Sequence, residues 1–146
     1  MADLNIDDFY RDCAVIMLRL YSSFPRKAIL YVDDICGPDT PDEFGLHSER
    51  HQAAFSAMVW LAEVGYINFT ETVREEALDQ AVLSQRGFLM LSSRSEIELG
   101  IADETDDSLP PSVMEHSLTN VMQIRRALKE GSSIFIQQVI HALLSS

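Results

Sequence analysis

The sequence predicts an α+β fold, mostly α, and three observations carry that expectation. Apolar residues recur at helical spacing after Ser48 and stop at Gly65. Two short runs of β-formers, Tyr66–Phe69 and Ala77–Leu83, flank a polar tip. Helical patterns also open the chain and close it. At 146 residues, 47% of them apolar, the chain can bury a real core as one domain or one domain with an appendage.

The elements follow in order. Asp3 or Asn5 can cap a first helix running to about Ser23. Phe9, Cys13, Ile16, Met17, Leu20 and Tyr21 mark its inward face, which places Asp8, Arg11, Asp12 and Arg19 mostly outside. Pro25 ends it, because proline cannot continue a helix interior. Lys27–Val32 (KAILYV) is a short apolar run, and Asp33–Ile35 can begin a second helix. Gly37–Gly45 (GPDTPDEFG) is rich in breakers and acids and predicts a loop.

Ser48 can accept a free backbone N–H of the next helix's first turn. Ala54, Phe55, Met58, Val59, Leu61 and Ala62 give that helix one apolar face, with Trp60 at its edge. Gly65 stands where a helix C-terminus favours a residue tolerant of positive φ. Tyr66, Ile67 and Phe69 start a strand. The polar run Glu71–Glu76 has neither Gly nor Pro, so a turn longer than two residues is expected. Ala77, Leu78, Ala81, Val82 and Leu83 form the return strand, and Ser84 can cap a short helix over Gln85–Leu91.

The segment WLAEVGYINF, followed by AVLSQRGFLML, resembles the winged helix-turn-helix superfamily. The resemblance rests on Trp60, Leu61, Gly65, Tyr66 and Ile67 at a helix-to-strand corner, then Leu83, Ser84, Arg86 and Gly87 at a strand-to-helix start. It covers about residues 4–92. It implies a winged-helix domain over 1–94 with a short β-hairpin wing at Asn68–Asp79. The helix from Ser48 would be the recognition helix, and Lys27–Val32 would hold the first strand or the turn into helix two. One fold hosts many roles, so function does not follow from it. The loop at 37–45 departs from the tight turn of a helix-turn-helix and weighs against strict DNA-reading geometry.

Residues 95–112 are expected to be an acidic linker: Ser92–Ser112 carries six acids against one base, with two prolines and one glycine. A helix is expected over Val113–Leu128, with Met114, Leu118, Val121, Met122 and Leu128 inward, and Glu130–Gly131 breaks it. A last helix, Ser132–Leu144, leaves little polar surface, so it must be buried. This 113–146 extension either completes the core or dimerises, with Phe135, Val139, Ile140 and Leu143 as the candidate interface.

The net charge of −12 is the strongest functional statement in the composition. Two lysines and nine arginines face twenty-three acids, and neither residues 1–94 nor residues 95–146 are basic. A nucleic-acid binder gathers cations to displace counterions from phosphates. DNA is therefore disfavoured, and a protein partner or a second copy of the chain is the expected ligand. No run of eighteen apolar residues exists, so no membrane partner is expected. MADLNIDDFY lacks a basic, apolar signal region, which predicts a cytoplasmic protein with Cys13 and Cys36 as reduced thiols.

Little else points to chemistry. His47 and His51 form H-x-x-x-H on one helix face, a spacing that can bind zinc, with Cys36 and Glu43 upstream as further candidates. There is no C-x-x-C, and HSERH lacks the Glu directly after the first His that a metalloprotease uses, so no metal site is expected. Asp33–Asp34 and Asp39–Asp42–Glu43 can be read as divalent-cation ligands, but acidic loops are usually just solvated and no Asp-x-Asp-x-Asp-Gly order is present. No phosphate cradle or nucleophile motif is present either, and no enzyme and no cofactor are expected. The outward residues of the helix from Ser48 include Glu49, Arg50, Gln52 and Ser56. Arg50 and Gln52 can read base edges, and Arg74 at the wing tip could touch a phosphate. Two functions follow: a non-enzymatic protein-interaction or assembly module, and, as the alternative, a DNA-binding transcriptional regulator. Arg50, Gln52, Ser56 and Arg74 are the candidate contacts for either.

Overall fold

A computed structural model describes residues 4–95 and 118–145. Its elements are α1 (Leu4–Ser23), β1 (Ala28–Tyr31), α2 (Asp33–Cys36), α3 (Glu49–Glu63), β2 (Ile67–Asn68), β3 (Glu71–Val73), β4 (Ala77–Leu83), α4 (Gln85–Ser92), α5 (Asn120–Glu130) and α6 (Ser133–Leu144). The fold is α+β and mostly helical, with one small antiparallel sheet. β4 is central: β1 pairs with one side of it, and β2 and β3 share the other. The expected linker lies almost wholly outside the described residues, as does the expected helical segment 113–117.

The hairpin register runs from Ile67↔Leu83 and Asn68↔Val82 to Glu71↔Asp79 and Val73↔Ala77 without a slip. Its turn is tighter than the polar run predicts. Arg74 and Glu75 both adopt positive φ, 51° and 58°, and the Glu76 N–H donates to the Val73 carbonyl at 2.8 Å. Left-handed backbone at a residue with a Cβ costs roughly 1–2 kcal/mol. Two contacts hold the tip down against that cost: the Val32 N–H donates to the Glu76 carbonyl (2.9 Å), and His51 Nε2 lies 3.0 Å from the Glu75 carbonyl.

Both motif corners have a physical basis. At the end of α3, Gly65 sits at φ 90°. The Tyr66 N–H donates to Leu61 O at 2.9 Å and the Gly65 N–H to Ala62 O at 3.1 Å, so the last carbonyls of the helix are satisfied. Ser84 caps α4 by accepting the Gly87 N–H at 3.0 Å. Gly87 lies so close to the strand that a Cβ there would stand 2.2 Å from the Tyr66 carbonyl oxygen. Arg86 closes the corner, its guanidinium 4.4 Å over the Tyr66 ring and donating to Val64 O at 2.9 Å.

α1 is the spine of the core. Cys13, Ala14, Ile16, Met17 and Leu20 are buried, and the helix packs on α3, α5 and α6. Burying each large apolar side chain contributes about 1.5–3 kcal/mol. Asp12, read as outward, is 1% exposed, because α1 turns it toward α3. The helix read from Val113 begins, within the described residues, at Asn120. Arg94 and Thr119 form a bridge, Thr119 is extended (ψ 158°), and the Asn120 side chain donates to the Met90 carbonyl.

The last helix packs on α1 of the same chain. Val139, Ile140 and Leu143 are buried there and Phe135 is half-buried, so these residues complete the core and do not form an open dimer face. Nor is α6 covered all round: Ile134 is 65% exposed, and Gln137, Gln138 and His141 face solvent.

Candidate functional site

α3 and the hairpin tip place the predicted contact residues. Arg50 is half-buried and does not point outward. Its Nη1 donates to Asp12 Oδ2 at 2.7 Å and its Nη2 to Asp12 Oδ1 at 2.5 Å, a two-pronged pair, with Asp8 3.7 Å from Nε. Burial pushes the Asp12 carboxyl above its ordinary pKa, against the pull of Arg50, and the hydrogen bond to Asp12 raises Arg50 in turn. The spacing that puts residue 50 beside 49 on the helix says nothing of a carboxylate thirty-eight positions earlier.

Gln52 and Ser56 are exposed as expected, though the Gln52 amide donates to the His47 carbonyl at 2.9 Å. With Glu49, Ala53, Trp60 and Glu63 they form one outward stripe along α3. Trp60 is 36% exposed and meets Phe9 edge-on at 5.1 Å. Arg74 is exposed at the hairpin tip, beside exposed Glu71, Glu75 and Glu76.

The first turn of α3 builds a second cluster. Ser48 accepts the His51 N–H at 3.2 Å, which fixes the helix start. His47 and His51 stack with ring centroids 3.7 Å apart and planes 10° from parallel. Asp39, from the loop before α3, joins them. Its Oδ2 lies 3.0 Å from His47 Nδ1, accepts the Ser48 N–H at 3.1 Å and stands 3.9 Å from His51 Nδ1. Hydrogen bonds from Ser48, then from His47, hold the Asp39 carboxyl down at about 2. Its stabilising effect is present above pH ~4 and is lost as pH falls toward its folded value.

His51 is 2% exposed, and its Nδ1 has no hydrogen-bond partner among the described residues. The upstream candidates do not join this cluster. Glu43 is exposed, and the Cys36 thiol donates to the Val32 and Gly37 carbonyls. Cys13 is fully buried, and burial pushes its thiol far above the ordinary value, so it is not a poised nucleophile. Sequence spacing marks the His pair, but Asp39 becomes a partner only because the loop folds back to the helix start. Compared with family models, curated proteins and solved structures, the chain matches none.

Proposed function

We propose that the chain is a non-enzymatic, acidic winged-helix protein whose α3 face and hairpin serve as a protein-interaction or assembly module. The order helix, strand, short helix, helix and hairpin, with β4 between β1 and the other hairpin arm, supports the winged-helix reading. So do the Gly65 corner and the Ser84–Gly87 helix start. The observation that carries the functional reading is the outward stripe of α3. Glu49, Gln52, Ala53, Ser56, Trp60 and Glu63 include two acids and no cation, and the one cation in α3 is held by Asp12.

Phosphate binding needs Lys or Arg free to displace counterions. Small side chains beside a half-exposed tryptophan instead suit apolar contact with a protein. The net charge of −12 favours a partner with a basic rim.

A DNA-binding regulator is the second reading, favoured by Gln52 and Ser56 on the stripe and by exposed Arg74 at the tip. Fluorescence anisotropy with pooled genomic duplexes across a salt series separates the two. The expected result is no binding even at about 50 mM salt. Binding that weakens with salt, and whose salt dependence falls in Arg74→Ala, would establish the regulator instead.

A further inference from the structure

We propose that Asp39, His47 and His51 form a binding site for a divalent transition metal of the zinc class. His51 presents a buried ring nitrogen without a hydrogen-bond partner among the described residues. A carbonyl oxygen can only accept, so the contact of Nε2 with Glu75 O at 3.0 Å requires the proton on Nε2. In the neutral ring, Nδ1 is then a bare lone pair, buried and without a donor. Its nearest charged neighbours are Asp39 Oδ2 at 3.9 Å and Asp33 Oδ1 at 3.8 Å, two oxygens that cannot donate to it. A lone pair facing carboxylates calls for a cation between them. A proton on Nδ1 would leave both oxygens beyond hydrogen-bond range.

The other ligands complete the donor set. Asp39 Oδ2 and one nitrogen from each of His47 and His51 lie within 4.8 Å of one another. Bonds of ~2.1 Å in a tetrahedral site separate ligand atoms by ~3.4 Å, and the separations of 3.0 and 3.9 Å from Asp39 Oδ2 bracket that spacing. The ion would replace the His47 Nδ1 proton that faces Asp39, and the two stacked rings would tilt apart so that both in-plane lone pairs reach it. The hairpin tip orients the His51 ring from behind through a hydrogen bond, and it places a carboxylate near the far nitrogen of His47. Glu75 O takes His51 Nε2, and Glu76 Oε1 lies 3.7 Å from His47 Nε2. Such outer contacts are how protein sites fix ligand histidines. Two imidazoles and a carboxylate suit zinc and its neighbours, not calcium or magnesium.

Three protein ligands leave a fourth position for water or for Asp33. The metal would tie the loop, α3 and the hairpin tip together, and this site does not depend on the interaction reading.

The test uses the full chain, free of a His tag, stripped with chelator and titrated with Zn²⁺ and with Co²⁺ as the coloured probe. The expected result is one equivalent bound, tetrahedral Co²⁺ absorption and a raised Tm. Long-range ¹H–¹⁵N spectra should show Nδ1 of both His47 and His51 shifting on Zn²⁺ addition. Asp39→Asn and His47→Gln, each checked for an intact fold by circular dichroism, should weaken affinity at least tenfold. Absence of uptake, shifts at other histidines alone, or undiminished affinity in folded variants would overturn the proposal. The wild-type spectra decide the matter if the variants do not fold.

Discussion

Arg50→Ala is expected to lower the free energy of unfolding by about 3 kcal/mol, measured by urea denaturation at neutral pH. The cause is the group left behind. Asp12 is 1% exposed and loses both prongs of its partner, so an ionised carboxylate remains buried and unpaired. Replacing both groups together, Asp12→Leu with Arg50→Met, should recover most of the loss.

The pH dependence has a definite sign. The folded pKa of Asp12 already lies above its ordinary value because of burial, and removing Arg50 raises it further. The folded variant therefore binds the proton more readily than the folded wild type, so its deficit grows as pH rises through the raised Asp12 pKa of the wild-type fold and narrows below it. A loss under ~1 kcal/mol at neutral pH would place the pair among ordinary surface bridges. Since Arg50→Ala acts on stability, it is a poor probe of DNA contact, and Arg74 is the cleaner one.

Gly87→Ala is expected to cost at least about 3 kcal/mol or to prevent folding, judged by thermal melts followed by circular dichroism. The added methyl would meet the Tyr66 carbonyl oxygen at 2.2 Å, and that atom belongs to backbone already accepting the Ser84 N–H at 3.0 Å. Neither side can yield without moving α4 off the sheet. Gly65→Ala makes the useful comparison. There the φ of 90° is unfavourable, but the nearest atom to a new Cβ is Arg86 Nη1 at 3.8 Å, the end of a flexible side chain. Its expected cost is about 1–2 kcal/mol. Equal losses for the two variants would contradict the close approach of α4.

What the sequence made legible was local. Ser48 and Ser84 each cap the helix that follows, because capping needs only one hydroxyl within three residues of an N–H. The Gly65 corner and the return strand are equally local. What it hid depends on distant partners. Asp12 reads as outward by periodicity and is inward because Arg50 comes from another helix. The tight turn at Arg74–Glu75 defies turn preference because Val32 and His51 hold its carbonyls. The start of α5 depends on a bridge to Arg94. The His pair was visible at its spacing, but Asp39 was chosen by loop folding over Cys36 and Glu43, which lay equally near in sequence.

On the proposed function, the outward stripe of α3 meets a protein. Site-specific photo-cross-linking tests it most directly. A benzophenone amino acid is placed at Gln52 or Ser56, with Gln137 on α6 as the exposed control, and irradiated in cells that encode the chain. A discrete heavier adduct is expected from the α3 positions, resistant to nuclease and absent from the control. Adducts that vanish on nuclease treatment, or none from either α3 position, would contradict it.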